Sequence, residues 1–440
     1  MSKAVRQILD MNAYDDATDT ASPATARRLG NFGAASVLFY RDPIEMVSAK
    51  GCWMTARDGT RYLDFYNNVP SVGHCHPTVV RAVSDQIARL NIHSRYVVDV
   101  VDQYLEALKA LLPQTLNNVM MTCSGSEAND LALRIAQKVT GGRGVVVTET
   151  AYHGSTAAVT EISPSALKSS GLPEYVVAVP PPSPEYYGND VTAGFATAVS
   201  GAVATLQRRG IAPAALICDT IFSSDGVYPD PPGALKPAVA AIREAGGMFI
   251  ADEVQPGFAR TGAAFWGYQR HGITPDLLTM GKPMGNGFPM AAVATSAEHL
   301  VSFCEDVGYF NTFGGNPVAA AAGLAVLKVI DEEALQENAA SVGRALVLAL
   351  RELAGRQARL GAVRGAGLFI GIDIVVPDGS GRPDPNATSD VINALKTRQI
   401  LIGAAGKYGA TLKVRPPLCL SRDEAQTFTE RLDAVLRELG

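Results

Sequence analysis

The sequence predicts an α/β protein whose main sheet is largely parallel. Short apolar runs rich in β-strand-forming residues alternate with alanine-rich helical patterns through the middle of the chain, at residues 144–150, 214–219, 247–252 and 291–296. This alternation is typical of a mostly parallel sheet packed against helices. The chain of 440 residues is too long for one ordinary hydrophobic core. We therefore expect one large α/β domain accompanied by smaller units.

Both ends of the chain differ in character from the middle. Near the N-terminus, Asp58-Gly59 lies between two apolar runs, which predicts a β-hairpin turn. After a helix that begins near Asn316, the chain gives a helix, strands, a polar loop, a helix, a strand and a final amphipathic helix, which is the pattern of a compact α+β unit. We predict that the two ends form a small domain from residues 1–75 and 326–440, and that residues 76–325 form the large domain.

Composition excludes several classes of function. The 38 basic and 43 acidic residues give a net charge of −5, and no basic run is longer than a pair. The chain therefore lacks the positive surface that nucleic acid or anionic lipid requires. The six cysteines are scattered without a CxxC pair, so neither a metal site nor a disulfide framework is indicated. No apolar stretch approaches the roughly 18 residues of a membrane span, and the N-terminus lacks a signal-peptide core, so we expect a cytoplasmic protein.

A single lysine, Lys282, lies among glycines and prolines in the stretch TMGKPMGNGFP. A phosphate-binding P-loop is excluded because Pro283 follows the lysine and Asp276 stands where the first glycine should be. By itself, such a lysine is a solvated surface residue as often as it is a functional one. Asp252 and Glu253 follow the apolar strand of FIADEVQ, where an acid can serve a ligand or cap a turn. Lys282 and these acids could project from the same edge of the sheet.

Two further stretches end near that edge. In TCSGSEAND, residues Ser124, Gly125 and Ser126 precede a strong helical pattern, where the helix N-terminus could bind an anion or the serine could be an ordinary N-cap. In ETAYHG, Tyr152 and His153 follow a strand and offer a flat face, although a lone aromatic there is usually packing. Together with the lysine and the acid, these features match what pyridoxal 5'-phosphate requires: an aldehyde-trapping amine, an acid for the ring nitrogen, a phosphate site and an aromatic ring.

The chain resembles the class III aminotransferase family of fold type I in five stretches, namely SGSEAND, AYHG, ADEVQPGFARTG, GKPMGNG and NTFGGNPVAAAAGLAVL. The similarity runs in order from about residue 36 to the C-terminus. This resemblance implies a large domain built on a mainly parallel seven-stranded sheet, with a small α+β domain formed by the N- and C-terminal segments. It also implies a homodimer whose active sites lie at the subunit interface.

The same resemblance implies a role for each matching residue. Lys282 would hold the cofactor covalently, Asp252 would pair with its pyridinium nitrogen, and Gln255 would hydrogen-bond its ring hydroxyl. Tyr152 and Val254 would sandwich the ring, and the helix N-terminus would bind the cofactor phosphate. The predicted set consists of catalytic Lys282 and Asp252 with cofactor contacts from Ser124, Gly125, Ser126, Tyr152, His153, Asp252, Val254, Gln255, Lys282 and, from the neighbouring subunit, Thr312.

The chain departs from most aminotransferases of this family at DTIFSSDG, residues 219–226. Where they commonly have Glu-Pro and then Gln-Gly-Glu-Gly, this chain has Phe222 for the glutamine and Ser224 for the second glutamate. In the ω-aminotransferases that glutamate pairs with a mobile arginine, so the resemblance implies that Arg415 lacks its usual partner. An unpaired arginine suits a permanently anionic substrate. A salt bridge at a domain interface is an equally open reading of Arg415.

Several stretches look closer to the ethanolamine-phosphate phospho-lyase branch, among them YNNVPSVGHCHPTVV, LNIHSRYVVD and GLFIGIDIV. This likeness implies a carbon–oxygen lyase acting on O-phosphoethanolamine or a related phosphorylated amine. After the substrate amine forms an external aldimine, Lys282 would remove the proton beside nitrogen, and acetaldehyde, ammonia and phosphate would result. The cations predicted to bind the substrate phosphate are Arg415, Lys413, Arg95, Arg28 and Arg27.

Two other functions stay open at this point. The first is an ω-amino acid or amine aminotransferase that uses pyruvate, which the family majority favours and Ser224 opposes. The second is a catalytically silent cofactor-binding or scaffold protein, which the presence of Lys282, Asp252 and Gln255 opposes.

Overall fold

The computed structural model describes residues 22–35 and 37–440, which form three β-sheets and the helices that cover them. The N-terminal part contributes α1 (Pro23–Phe32), β1 (Met46–Lys50), β2 (Trp53–Ala56) and β3 (Arg61–Asp64). Strands β2 and β3 pair antiparallel across the turn at Asp58 and Gly59, and Gly59 has a φ of +87°. The predicted hairpin is therefore confirmed.

The middle of the chain alternates helices and strands. In order, these elements are α2 (Pro77–Ile87), α3 (Asp99–Ala110), β4 (Asn118–Thr122), α4 (Gly125–Thr140), β5 (Gly144–Thr148), α5 (Ala157–Glu161), β6 (Val176–Val179), α6 (Pro184–Tyr187), α7 (Val191–Arg208), β7 (Pro213–Asp219), α8 (Leu235–Glu244), β8 (Met248–Asp252), β9 (Leu277–Met280), β10 (Ala291–Thr295), α9 (Ala297–Asp306) and α10 (Pro317–Glu332). The strands form one seven-stranded sheet in the order β4-β10-β9-β8-β7-β5-β6. In this sheet β10 runs antiparallel to both neighbours and the other pairings are parallel. The predicted mainly parallel sheet is confirmed.

The C-terminal part adds a second compact unit. Its elements are α11 (Leu335–Ala354), β11 (Leu360–Ala366), β12 (Phe369–Ile374), α12 (Pro385–Thr397), β13 (Ile400–Leu401), β14 (Gly403–Ala405), β15 (Thr411–Val414) and α13 (Arg422–Leu439). Strands β11, β12, β15 and β14 form an antiparallel sheet, whereas β13 pairs with β3 in the N-terminal sheet. The two ends of the chain therefore share a sheet, while the predicted domain boundaries stay a prediction. Among the described residues, no helix is both long and apolar enough to cross a membrane.

The central strands are buried on both faces, as expected for parallel strands between helices. On β8, Ile250 belongs to the apolar layer that includes α4, whereas Phe249 and Ala251 belong to the layer that includes α7 and α8. Side chains alternate along a strand, so Asp252 shares the α4 face with Ile250. The loops that follow β5, β7, β8 and β9 all leave the sheet at the carboxyl edge of these parallel strands.

Candidate active site

Asp252 ends β8 as a buried carboxylate that is held from three directions. Its Oδ2 accepts a hydrogen bond from Nδ2 of Asn129 at 3.0 Å and lies 2.7 Å from Nδ1 of His153. Its Oδ1 accepts a hydrogen bond from the backbone N–H of Val254 at 3.1 Å. These contacts fix the orientation of the carboxylate. Because His153 is buried and bonds to Asp252, it positions this acid, and its predicted contact with a cofactor stays a prediction.

The neighbouring acid, Glu253, forms its hydrogen bonds inside the protein core. Its carboxylate accepts hydrogen bonds from Oγ1 of Thr220 and from the backbone N–H groups of Gly267 and Tyr268, each at 2.7 Å. Burial raises the pKa of Glu253 to about 7, and these hydrogen bonds oppose the shift. The alternation of side chains along β8 therefore separates two adjacent acids, because Asp252 faces α4 and Glu253 faces the opposite layer.

Lys282 follows β9 and lies at the same edge of the sheet. A Cβ at the preceding residue, Gly281, would lie 3.4 Å from Val254 and 3.5 Å from the backbone of Gly125. These are ordinary contact distances, whereas a Cβ on Gly125 would lie only 3.1 Å from Val254, so Gly125 allows the start of α4 to approach Val254 closely. Burial lowers the pKa of Lys282, and the cation of Arg415 lowers it further. This shift favours the neutral amine, which is the form that acts as a nucleophile or base.

Helix α4 begins beside this lysine loop. Ser124 is its N-cap, because Oγ of Ser124 accepts a hydrogen bond from the backbone N–H of Glu127 at 3.3 Å. Oγ of Ser126 accepts a hydrogen bond from the backbone N–H of Ser155 at 3.0 Å. The adjacent Gly154 has a φ of +142°, and a Cβ there would lie 2.5 Å from that Oγ. Since the first N–H groups of a helix have no partner within it, the start of α4 offers donors for an anion.

Arg415 follows β15 and is a buried cation, with only 9% of the residue exposed. Its Nη1 donates hydrogen bonds to Oε1 of Gln255 at 2.6 Å and to Oδ1 of Asn68 at 3.2 Å. The guanidinium carbon lies 4.5 Å from the centre of the Tyr66 ring. Within the described ranges, Arg415 forms no ion pair and its buried Nε has no hydrogen-bond partner. The interpretation of Arg415 as part of a domain-interface salt bridge is therefore wrong for the described residues. The guanidinium is a buried cation that an anionic ligand could pair with.

The stretch that departs from the aminotransferase pattern does not supply a carboxylate to this cation. Ser224 is buried, and its neighbour Asp225 bonds instead to the last residue of β5 and to the loop that follows it. Oδ2 of Asp225 accepts a hydrogen bond from Oγ1 of Thr148 at 2.8 Å, and Oδ1 accepts one from the backbone N–H of Thr150 at 3.2 Å. Burial raises the pKa of Asp225 to about 6, against the effect of these hydrogen bonds.

Of the other cations predicted from the sequence, Lys413 lies nearest to Arg415 along the chain. It is buried on β15, and its Nζ lies 5.6 Å from the centre of the Phe369 ring. Burial lowers the pKa of Lys413 well below its usual value, the nearby Arg415 lowers it further, and the carboxylate of Asp219 opposes the shift. Lys413 therefore lies in the same buried cluster as Arg415, where its lowered pKa favours the neutral amine.

The remaining three predicted cations stack on an aromatic ring or lie exposed on a helix. The guanidinium carbon of Arg95 lies 3.9 Å from the centre of the Phe310 ring. Arg27 and Arg28 lie on the exposed helix α1. The predicted contacts of these three arginines with the substrate phosphate therefore stay a prediction.

Two predicted cofactor residues lie at the surface of this site or beyond it. Tyr152 is half-buried beside His153, and burial raises the pKa of its hydroxyl. Thr312 lies on an exposed loop, next to Phe313, which is 71% exposed. Because the predicted contact of Thr312 requires a second subunit, it stays a prediction.

Four residues of the site were missed in the sequence. Asn129 lies in the SGSEAND stretch and Ser223 in the divergent DTIFSSDG stretch, but no role was assigned to either. Tyr66 and Asn68 belong to YNNVPSVGHCHPTVV, which was used only to recognise a branch of the family. The one feature of the sequence that could have indicated these four residues is that each lies within a stretch compared with the family. Their contacts with Asp252, Gln255 and Arg415 could not be predicted, because these contacts join segments that are far apart in the chain.

Replacing Asn129 with alanine should destabilise the protein. Nδ2 of Asn129 donates to Asp252 and to the backbone carbonyl of His153, and its Oδ1 accepts from Oγ1 of Thr279 at 2.6 Å. The substitution leaves buried polar groups without partners, at a cost of roughly 1–3 kcal/mol. We expect a lower midpoint in thermal unfolding followed by circular dichroism. The control is Asn393→Ala on α12, whose side chain is only partly buried; an equal loss in both variants would contradict this role of Asn129.

Comparisons with known proteins agree with this fold and site. The class III aminotransferase family matches residues 40–436. Ethanolamine-phosphate phospho-lyase homolog 1 of Caenorhabditis elegans is 37% identical over 431 residues, which cover 93% of this chain and 92% of that protein. Alanine–glyoxylate aminotransferase 2-like of Drosophila melanogaster is 38% identical over 428 residues, which cover 93% of this chain and 86% of that protein. A phospholyase from Arthrobacter in complex with phosphoethanolamine has a TM-score of 0.91 and 42% identity, and the match covers 94% of this chain and 99% of the other.

The chain therefore belongs to the class III aminotransferase family, and it is similar both to proteins named as phospho-lyases and to proteins named as aminotransferases. The family recognition and the type I fold that the motifs implied are confirmed.

Proposed function

We propose that this protein is a pyridoxal 5'-phosphate-dependent phospho-lyase that eliminates phosphate from O-phosphoethanolamine or a related phosphorylated amine. The products would be acetaldehyde, ammonia and phosphate. The observation that carries the proposal is the buried Arg415, which has no carboxylate partner among the described residues, in a chain with Ser224 at the position of the family's glutamate. Similarity to the Arthrobacter phospholyase in complex with phosphoethanolamine supports this choice of substrate.

The residues at the sheet edge fit the proposed cofactor. Gly125 lets the start of α4 lie close to Val254, and the carboxylate of Asp252 is oriented by three donors. The start of α4 would hold the phosphate of the cofactor, Asp252 its ring nitrogen, and Lys282 its aldehyde carbon. When bound, pyridoxal 5'-phosphate supplies an electron sink for negative charge at the substrate carbon next to nitrogen.

Different side chains of this protein would then act on the two ends of the substrate. Lys282, whose pKa is lowered by burial, removes the proton from the carbon that bears the amine. Arg415 binds the phosphate group and stabilises the negative charge that grows on the departing oxygen.

The family resemblance further supports a homodimer, which we include in the proposal. Large apolar side chains are exposed near the loop that carries Thr312: Phe313 is 71% exposed, and Phe310 is 44% exposed. A second subunit would cover this surface and bring Thr312 to the phosphate of the cofactor. Sedimentation of the purified protein at the mass of one 46.3 kDa chain would contradict the dimer.

The reaction is tested by measuring inorganic phosphate released from a panel of phosphorylated amines. We expect O-phosphoethanolamine to yield phosphate, ammonia and acetaldehyde in equal amounts without any keto acid. The second candidate function is an ω-amino acid or amine aminotransferase, which similarity to the Drosophila alanine–glyoxylate aminotransferase 2-like protein favours. A requirement for pyruvate, with alanine formed and no phosphate released, would overturn the phospho-lyase and establish the aminotransferase.

Replacing Arg415 with alanine should impair phosphate release. A charge-assisted hydrogen bond contributes roughly 1.5–3 kcal/mol, which corresponds to a loss of about 10- to 150-fold in kcat/KM. We expect KM to rise and kcat to fall, because the contact strengthens as charge builds on the leaving oxygen. Cofactor content, measured by absorbance, should stay near that of the wild type.

The matched control is Arg243→Ala, since Arg243 bonds Asp276 at the entry of β9, at the opposite edge of the sheet. A complementary variant, Ser224→Glu, restores the acid of the aminotransferase pattern and should neutralise Arg415. If phosphate release survives unchanged in both Arg415→Ala and Ser224→Glu, Arg415 does not bind the substrate phosphate.

A further inference from the structure

A chain of hydrogen bonds connects the end of β7 to Arg415. Oδ2 of Asp219 accepts two hydrogen bonds from Ser223, one from its Oγ and one from its backbone N–H. Oδ1 of Asp219 accepts a hydrogen bond from the backbone N–H of Ile221 at 3.0 Å. Oγ of Ser223 in turn accepts a hydrogen bond from Nε2 of Gln255 at 2.6 Å. Oε1 of Gln255 accepts the hydrogen bond from Nη1 of Arg415. Ser223 is fully buried, so water does not compete for these contacts.

The chemistry of these groups sets the direction of the chain. A serine hydroxyl has one proton, and Ser223 donates it to Asp219, so its oxygen can only accept from Gln255. The carboxamide of Gln255 must therefore turn its NH2 group to Ser223 and its oxygen to Arg415. A flipped amide would place an acceptor against the Ser223 oxygen and a donor against the guanidinium, and both contacts would be lost.

This arrangement leaves one edge of Arg415 available. Nη1 is occupied by the oxygens of Gln255 and Asn68, and the Tyr66 ring lies against the guanidinium plane. The buried Nε has no partner in residues 22–35 and 37–440, and no hydrogen bond of Nη2 is found there either. The Nε–Nη2 edge is one of the two edges through which arginine binds two oxygens of a phosphate at once.

We propose that Ser223 is a positioning residue that fixes Arg415, through Gln255, as a permanent receptor for the phosphate group of the substrate. This proposal rests on the phospho-lyase function above and deepens it. Neutral amide oxygens hold the guanidinium without cancelling its charge, whereas a glutamate would neutralise it. The fixed cation therefore keeps its full attraction for a phosphate dianion and pays no free energy to leave a carboxylate.

The test separates the phosphate end of the substrate from its amine end. Two probes are titrated into the holoenzyme: ethyl phosphate, which has no amine, followed by calorimetry, and ethylamine, which has no phosphate, followed by cofactor absorbance. We expect Ser223→Ala to weaken ethyl phosphate binding about tenfold, because Arg415 is no longer held in place. Ethylamine binding and cofactor content should match the wild type. For O-phosphoethanolamine, KM should rise by more than kcat falls.

The matched control is Ser183→Ala, which removes the hydroxyl of another fully buried serine that has no hydrogen-bond partner among the described residues. Unchanged ethyl phosphate affinity in Ser223→Ala overturns the proposal, and so does an equal weakening of both probes. The wild type could release no phosphate from O-phosphoethanolamine while Ser223→Ala still selectively weakens the binding of ethyl phosphate. That result would contradict the phospho-lyase function and support the positioning role of Ser223. A wild type that neither releases phosphate nor binds ethyl phosphate overturns both.

Discussion

Replacing Lys282 with alanine should abolish the covalent attachment of pyridoxal 5'-phosphate and nearly all turnover. Lys282 lies at the carboxyl edge of the sheet, and its pKa is lowered by burial and by Arg415, so its amine is suited both to bind an aldehyde and to remove a proton. The loss of the general base alone costs about 10²- to 10⁴-fold in rate. We expect borohydride to fix the cofactor to the wild-type chain and not to Lys282→Ala, as judged by the mass of the labelled peptide.

The control is Lys236→Ala, because Lys236 is an exposed lysine on α8. It should keep the covalent label and the activity of the wild type. A reduced peptide from the wild type that carries the label on any other lysine would show that the assignment of Lys282 is wrong.

Replacing Asp252 with alanine should give the second large effect. Removing one member of a buried charge pair costs about 3–5 kcal/mol, which corresponds to a loss on the order of 10²–10⁴ in turnover. Without the carboxylate, the ring nitrogen of the proposed cofactor would lose its proton and withdraw electrons less strongly. We expect weak cofactor retention on gel filtration and very slow phosphate release. The variant also leaves Asn129 and His153 without their shared partner.

Asp276→Ala is the matched control for this second prediction. Asp276 is also a hydrogen-bonded acid next to a strand, but it precedes β9 and accepts from the backbone N–H of Phe249 at 2.7 Å. It therefore lies at the opposite edge of the sheet. We expect Asp276→Ala to lower stability and to retain the cofactor. Wild-type turnover in Asp252→Ala would mean that another group holds the ring nitrogen.

Much of the architecture could be predicted from local pattern. The apolar run at residues 247–252 predicted β8, which spans Met248–Asp252, because a strand buried on both faces needs a continuous apolar sequence. Asp252 and Lys282 could be placed near one edge because each follows such a strand. The hairpin at Asp58 and Gly59 could also be predicted from local sequence, since it depends on the turn residues themselves.

The functional assignments of side chains were less predictable. His153 was expected to offer a flat face, yet it is buried against Asp252, a contact that joins the loop after β5 to the end of β8. Arg95, Arg27 and Arg28 were predicted as further phosphate-binding cations, and this role stays a prediction. The stacking of Arg95 on Phe310 could not be predicted, because the two residues are far apart in the chain.

The alternation of strands and helices, the family and the absence of a glutamate at position 224 follow from residue type and spacing along the chain. The contacts that hold Arg415 depend instead on the folded chain. Its contacts come from Asn68, near the N-terminus, and from Gln255, which is fixed by Ser223. A hydrogen bond requires atoms within about 3 Å in a suitable direction. Segments more than 150 residues apart satisfy that condition only once the two ends of the chain have folded against the central sheet, as the distance in sequence between Arg415 and Gln255 illustrates.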